Sequence, residues 1–140
     1  MFLKKEELKY AGSAVVLYEL SGLQRVEYLE FISVCSAEFD AATAGVEESV
    51  RRLAFLQMGV DINAWLVSRS LWNEKQEGDV DAMYQSVRRT WSYDALGQGA
   101  DQVLAMSGMA LVIPERDPDD TEPVDVDPSL NEEPDSPEKS

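Results

Sequence analysis

From Ser21 onward the apolar residues recur at helical spacing, while the stretch before it alternates over two short runs. The clearest local signal is Glu19–Cys35. Ser21 followed by Gln24 is a capping-box pattern, in which the hydroxyl and the amide each satisfy a free donor of a helix's first turn. A helix starting there acquires Leu23, Val26, Tyr28, Leu29, Phe31, Ile32, Val34 and Cys35. At 100° per residue these point in nearly every direction, so the pattern predicts a helix covered on more than one side, with Leu23 a candidate for the core. Its end is expected within Ala37–Gly45, where polarity rises.

Upstream, the runs Phe2–Lys9 and Ser13–Tyr18 flank Ala11-Gly12, and SAVVLY is rich in β-branched residues. A β-hairpin leading into the capped helix follows, with Gly12 free to adopt positive φ at the turn. Such a hairpin is marginal alone and must lie against the helices. A second helix is predicted from about Val46 to Leu71. Its main stripe is Val50, Leu53, Ala54, Val60, Ala64, Val67, Leu71 and Trp72, interrupted by Asp61, which marks either a bend or a solvent-facing gap. A narrower stripe, Phe55, Ile62 and Leu66, lies on the other side at i, i+7 and i+11. Two readings stay open for it: a face for a partner helix or a second copy, or a helix buried on both sides. Asp79 is a fitting N-cap for a third helix with the stripe Val80, Met83, Tyr84, Val87 and Trp91. Ser92 caps a fourth, whose face carries Leu96, Ala100, Val103, Leu104, Ser107 and Leu111.

Composition changes the picture at Pro114. All six prolines of the chain lie between there and Pro137, with 11 acidic residues against Arg116 and Lys139. Such a segment has too little apolar surface to offset its conformational entropy, so residues 114–140 are expected to be a disordered acidic tail. The predicted fold is mainly α. An N-terminal β-hairpin packs on a bundle of about four helices within residues 1–113.

Charge and residue types then narrow the chemistry. The net charge is −15, which opposes nucleic-acid phosphate. No apolar run approaches the ~20 residues of a membrane span. The chain has no histidine, so the usual catalytic triad and the commonest metal ligand are missing. Cys35, the single cysteine, rules out an internal disulfide and sits in an apolar helix with no base in sequence reach. Asp117–Asp127 lacks the glycine and terminal glutamate of a calcium loop. Gly97 and Gly99 have no preceding strand, so they read as a close helix approach or loose packing rather than a nucleotide site. No catalytic residue, metal or cofactor is expected. The pairs Arg51-Arg52 and Arg88-Arg89 are candidate contacts for an acidic partner or the acidic tail, with exposed helix-face arginines the plainer reading. Trp65, Trp72 and Trp91 fall on apolar helical faces and are read mainly as core.

Particular residues go further. Met1–Lys4 (MFLK), Tyr10-Ala11-Gly12, Val16–Glu30 (VLYELSGLQRVEYLE), Ser70–Asn73 (SLWN), Asp94-Ala95 beside Trp91, and Met106–Met109 (MSGM) together resemble the lambda-type tail assembly protein G family of long-tailed phages. Cys35 and Ala37–Val46 have no counterpart in that resemblance, which spans residues 1–113. It implies a tail assembly chaperone that binds the tape measure protein and keeps it soluble while tube subunits polymerise around it. The same resemblance implies work in the host cytoplasm, absence from the mature virion, and a frameshift-extended form whose added domain recruits the tail tube protein. The tail would then serve as a hinge, although the Gly-Lys pair expected near such a frameshift site is absent from it. Phe55, Ile62 and Leu66 are the candidate partner-binding residues, for the tape measure protein or for self-association. The alternative is a minor tail protein retained in the virion.

Overall fold

The computed structural model describes residues 1–109, and the acidic tail expected at 114–140 lies outside the described residues, as does Leu111. The hairpin comprises β1 (Lys5–Tyr10) and β2 (Ser13–Tyr18), antiparallel and in register from Lys5 opposite Tyr18 to Tyr10 opposite Ser13. Both turn residues are left-handed, Gly12 at φ 83° as expected and Ala11 at φ 50°. This is the twist that a two-residue turn needs to match its strands.

Four helices follow: α1 (Gly22–Ala42), α2 (Glu48–Trp72), α3 (Val80–Thr90) and α4 (Tyr93–Met106). Three of the starts are those that the capping residues dictate, while α2 begins at Glu48 with no side-chain cap, two residues after the expected Val46. The Ser21 hydroxyl accepts from Gln24 N–H at 3.1 Å, while the Gln24 side chain accepts from Ser21 N–H at 2.9 Å. Asp79 accepts from Asp81 N–H, and Ser92 from Ala95 N–H. Each cap satisfies a donor that the helix itself leaves free.

The centre of the fold is α2 rather than α1. It packs against α1, α3, α4 and β2, whereas α1 packs mainly on α2 and reaches α3 through Phe31, edge-on to Tyr84 at 6.5 Å. One core cluster joins Leu8, Leu17 and Leu20 of the hairpin and its exit to Trp65, Leu66, Ala100, Val103 and Met106. A second joins Ala64, Val67, Val87 and Leu96. The hairpin is thereby clamped between α2 and α4, as its marginal stability alone requires.

Two expectations need correction. The two-sided cover expected for α1 is absent among the described residues: Leu23 is 68% exposed, and Val26, Leu29 and Val34 are exposed too. Leu23 is therefore no core residue. Only the face bearing Gln24, Tyr28, Phe31, Ile32, Cys35 and Phe39 is turned inward. The main stripe of α2 is likewise core only from Val60 onward, since Val50 and Leu53 are exposed.

The glycines of α4 are resolved by one contact. A Cβ at Gly99 would lie 3.0 Å from Val67 Cγ2 and 3.1 Å from Trp91 Cζ3, so any side chain there would press on α2 and Trp91 and force them to give way. Gly97 faces open space. Close approach, not a nucleotide loop, accounts for the first of these.

Candidate partner-binding surface

The stripe Phe55–Ile62–Leu66 does not form one surface. Leu66 is 1% exposed in the main core and Ile62 packs partly buried against that core. Phe55 remains 58% exposed, its ring edge-on to Phe39 at 6.0 Å. Leu66 is thus a core residue in this structure, and the stripe grades from core to surface along the helix. The reason is length. The 11-residue α3 and 14-residue α4 cannot accompany the 25-residue α2 to its start. At 1.5 Å per residue they run roughly 16 and 21 Å beside a helix of about 37 Å.

The four arginines also separate. The Arg51 guanidinium lies 5.3 Å over the Phe39 ring, and Arg52 faces Glu48 at 3.8 Å on the exposed first turn of α2. Arg88 Nε stands 3.0 Å from Asp61 Oδ1, though without an aligned hydrogen bond, and its guanidinium covers Tyr84 at 5.3 Å. Asp61 is therefore neither bend nor gap: it is half-buried, paired with Arg88 and accepting from Gln57 Nε2 at 3.0 Å. Arg89 is exposed in the last turn of α3. Of the four, Arg89 and Arg52 keep the freest heads; Arg51 and Arg88 serve the fold.

Of the tryptophans, Trp65 is core, stacked with Phe31 at 5.6 Å and covered by Arg69 at 4.5 Å. Trp72 and Trp91 are partly buried, and Trp72 donates to Gly78 O at 3.1 Å. Burial is the main force lowering the Arg69 pKa, opposed by Asp81 and then Glu27. Burial likewise pushes up the Tyr84 phenol and the Cys35 thiol, the latter helped by Asp61 and Glu38. A raised thiol pKa means less thiolate at neutral pH, which is the unreactive kind of cysteine. Among the described residues no group of three or more potential ligands is placed to hold a metal, and no helix is long and apolar enough to cross a membrane.

What the sequence reading missed is a polar seam at the hairpin exit. Gln24 Nε2 donates to Asn73 Oδ1 at 2.9 Å, and Asn73 Nδ2 donates to Gln24 Oε1 at 2.7 Å and to Glu19 O at 3.1 Å. The Ser70 hydroxyl accepts from Tyr18 N–H at 2.7 Å, and the Ser107 hydroxyl from Leu20 N–H at 2.9 Å. Side chains of α2 and the end of α4 thus satisfy backbone donors where β2 stops pairing, which a buried chain must do. Ser70, Asn73 and Ser107 lie in the segments SLWN and MSGM, so their presence was visible while their partners were not.

Residues 1–125 match the family model described as bacteriophage lambda tail assembly chaperone, TAC, protein G. The chain is 31% identical over 118 residues to Tail assembly protein G of Escherichia phage N15, covering 78% of each. It is 30% identical over 130 residues to Tail assembly protein G of Escherichia phage lambda, covering 87% of this chain and 88% of that one. A longer lambda relative, Tail assembly protein GT, is matched over 44% of its length. No solved structure matches the chain. The family match makes the protein a phage tail assembly chaperone. It belongs to the lambda protein G family.

Proposed function

We propose that the chain binds the tape measure protein of its phage and keeps it in solution during tail assembly. The family match over residues 1–125 carries this reading. Two physical features support it. The outer faces of α1 and the first half of α2 offer apolar side chains, among them Val26, Leu29, Val50 and Leu53, that no described element covers. A net charge of −15 keeps such a surface from self-aggregating, because like-charged copies repel. The reading needs neither catalysis nor a bound cofactor. It extends to a frameshift-lengthened form that recruits the tail tube protein, to action in the host cytoplasm, and to absence from the finished particle.

Co-expression with the tape measure gene tests it. The tape measure protein is expected in the soluble fraction only when this chain is present, and an unchanged insoluble fraction would overturn the reading. Mass spectrometry of purified virions checks the last point, where the chain's peptides should be missing.

A further inference from the structure

Between α1 and the α2–α3 turn lies an open groove of about 590 Å³. Its apolar lining is Leu23, Phe31, Val34, Trp65, Trp72 and Val80. Leu23 and Val34 are mostly exposed, at 68% and 54%, and Trp65 closes the floor against Phe31. Glu27 and Glu30 also line it, and neither has a cation within ion-pair distance among the described residues. The one basic lining residue, Arg69, is held below by Asp81 at 3.6 Å and by the Trp65 ring. The groove therefore shows an incoming partner apolar side chains and carboxylates outside direct ion pairs, Glu27 acting on Arg69 only from a distance.

We infer that this groove seats an amphipathic helix whose apolar face is flanked by lysines or arginines, contributed by the client protein. The inference rests on the functional reading above and names the site and the chemistry of its occupant. Charge selects among the three occupants available. The chain's own residues 114–140 carry 11 acidic side chains against two basic ones, so Glu27 and Glu30 repel them. A second copy brings a further net −15 to the same carboxylates. A basic amphipathic helix gains on both counts, burying apolar residues on Leu23, Val34 and the tryptophans while pairing with the two glutamates. Laying an apolar helical face into a hydrophobic groove is a recurrent mode of recognition.

The test uses the full chain co-expressed with its tape measure protein and reads the amount of client that co-purifies. L23D and V34D change exposed positions, so melting temperature should stay at the parent value while co-purified client falls at least about tenfold, the equivalent of ~1.4 kcal/mol. E27K/E30K should also weaken capture. Raising salt from about 0.05 to about 0.5 M should weaken the parent complex and affect E27K/E30K less, because screening acts on the charges just removed. Y93D, on the exposed start of α4 and outside the groove lining, should capture client like the parent. Parent-like capture by L23D and V34D overturns the groove assignment and leaves the functional reading standing. Failure of the parent chain to capture client removes both. Sedimentation showing a parent dimer that V34D dissociates would give the groove to a second copy and overturn the assignment.

Discussion

Leu66 and Leu53 occupy one helix, yet the first is 1% exposed and the second 70%. Around Leu66 the chain supplies the hairpin, α3 and α4. Near Leu53 the end of α1 reaches only Phe55 and Arg51, through Phe39, because α3 and α4 stop short. The same pattern of apolar residues thus builds a closed half and an open arm within a single 25-residue helix. The closed half carries the stability, through a core that includes Leu17, Leu66, Leu96 and Val103. The open arm presents apolar surface at small cost, since its backbone is satisfied inside its own helices and its side chains rest on solvent. The proposed binding of a helical client would use both: a fold that holds without the client, and a surface that is incomplete without it.

That contrast can be broken at several points. Leu66→Glu should have the largest effect. It buries a charge without a partner, so the chain should lose its cooperative urea transition, with Leu66→Ala costing about 2–5 kcal/mol as the milder control. A Leu66→Glu variant that melts like the parent would mean that the closed half is not closed. Next comes Asn73→Ala, which strips Gln24 of its buried partner and leaves the Glu19 carbonyl unpaired. A loss of ~1–3 kcal/mol is expected in the same melts, without a change in their slope. The smallest effect belongs to the arm. Leu23→Ala should cost under about 0.5 kcal/mol, as surface changes usually do. A loss of 2 kcal/mol there would show that α1 is covered after all.

Much of this was written locally. The three caps at Ser21, Asp79 and Ser92 fixed helix starts to the residue, because capping is settled by a hydroxyl or carboxylate and the donor two or three positions on. The hairpin was legible from its β-branched run and the Ala11-Gly12 turn. The family, too, was legible, in short segments such as SLWN and MSGM. The candidate surface was much less so. Phe55, Ile62 and Leu66 share a stripe by arithmetic, but only neighbours decide which of them is covered.

The sequence by itself determined where the three capped helices begin, which residues share a face, and that the chain would be acidic enough to repel its own copies. Tertiary structure decided the rest: that α2 is central, that Leu23 is outside and Leu66 inside, and that Gly99 lies tight against Val67 and Trp91. It also decided that Gln24, a capping residue by spacing, is equally a partner of Asn73, 49 positions away. Periodicity is a property of one helix and can be read along it. Burial is a property of two or more, and depends on how far each neighbour extends.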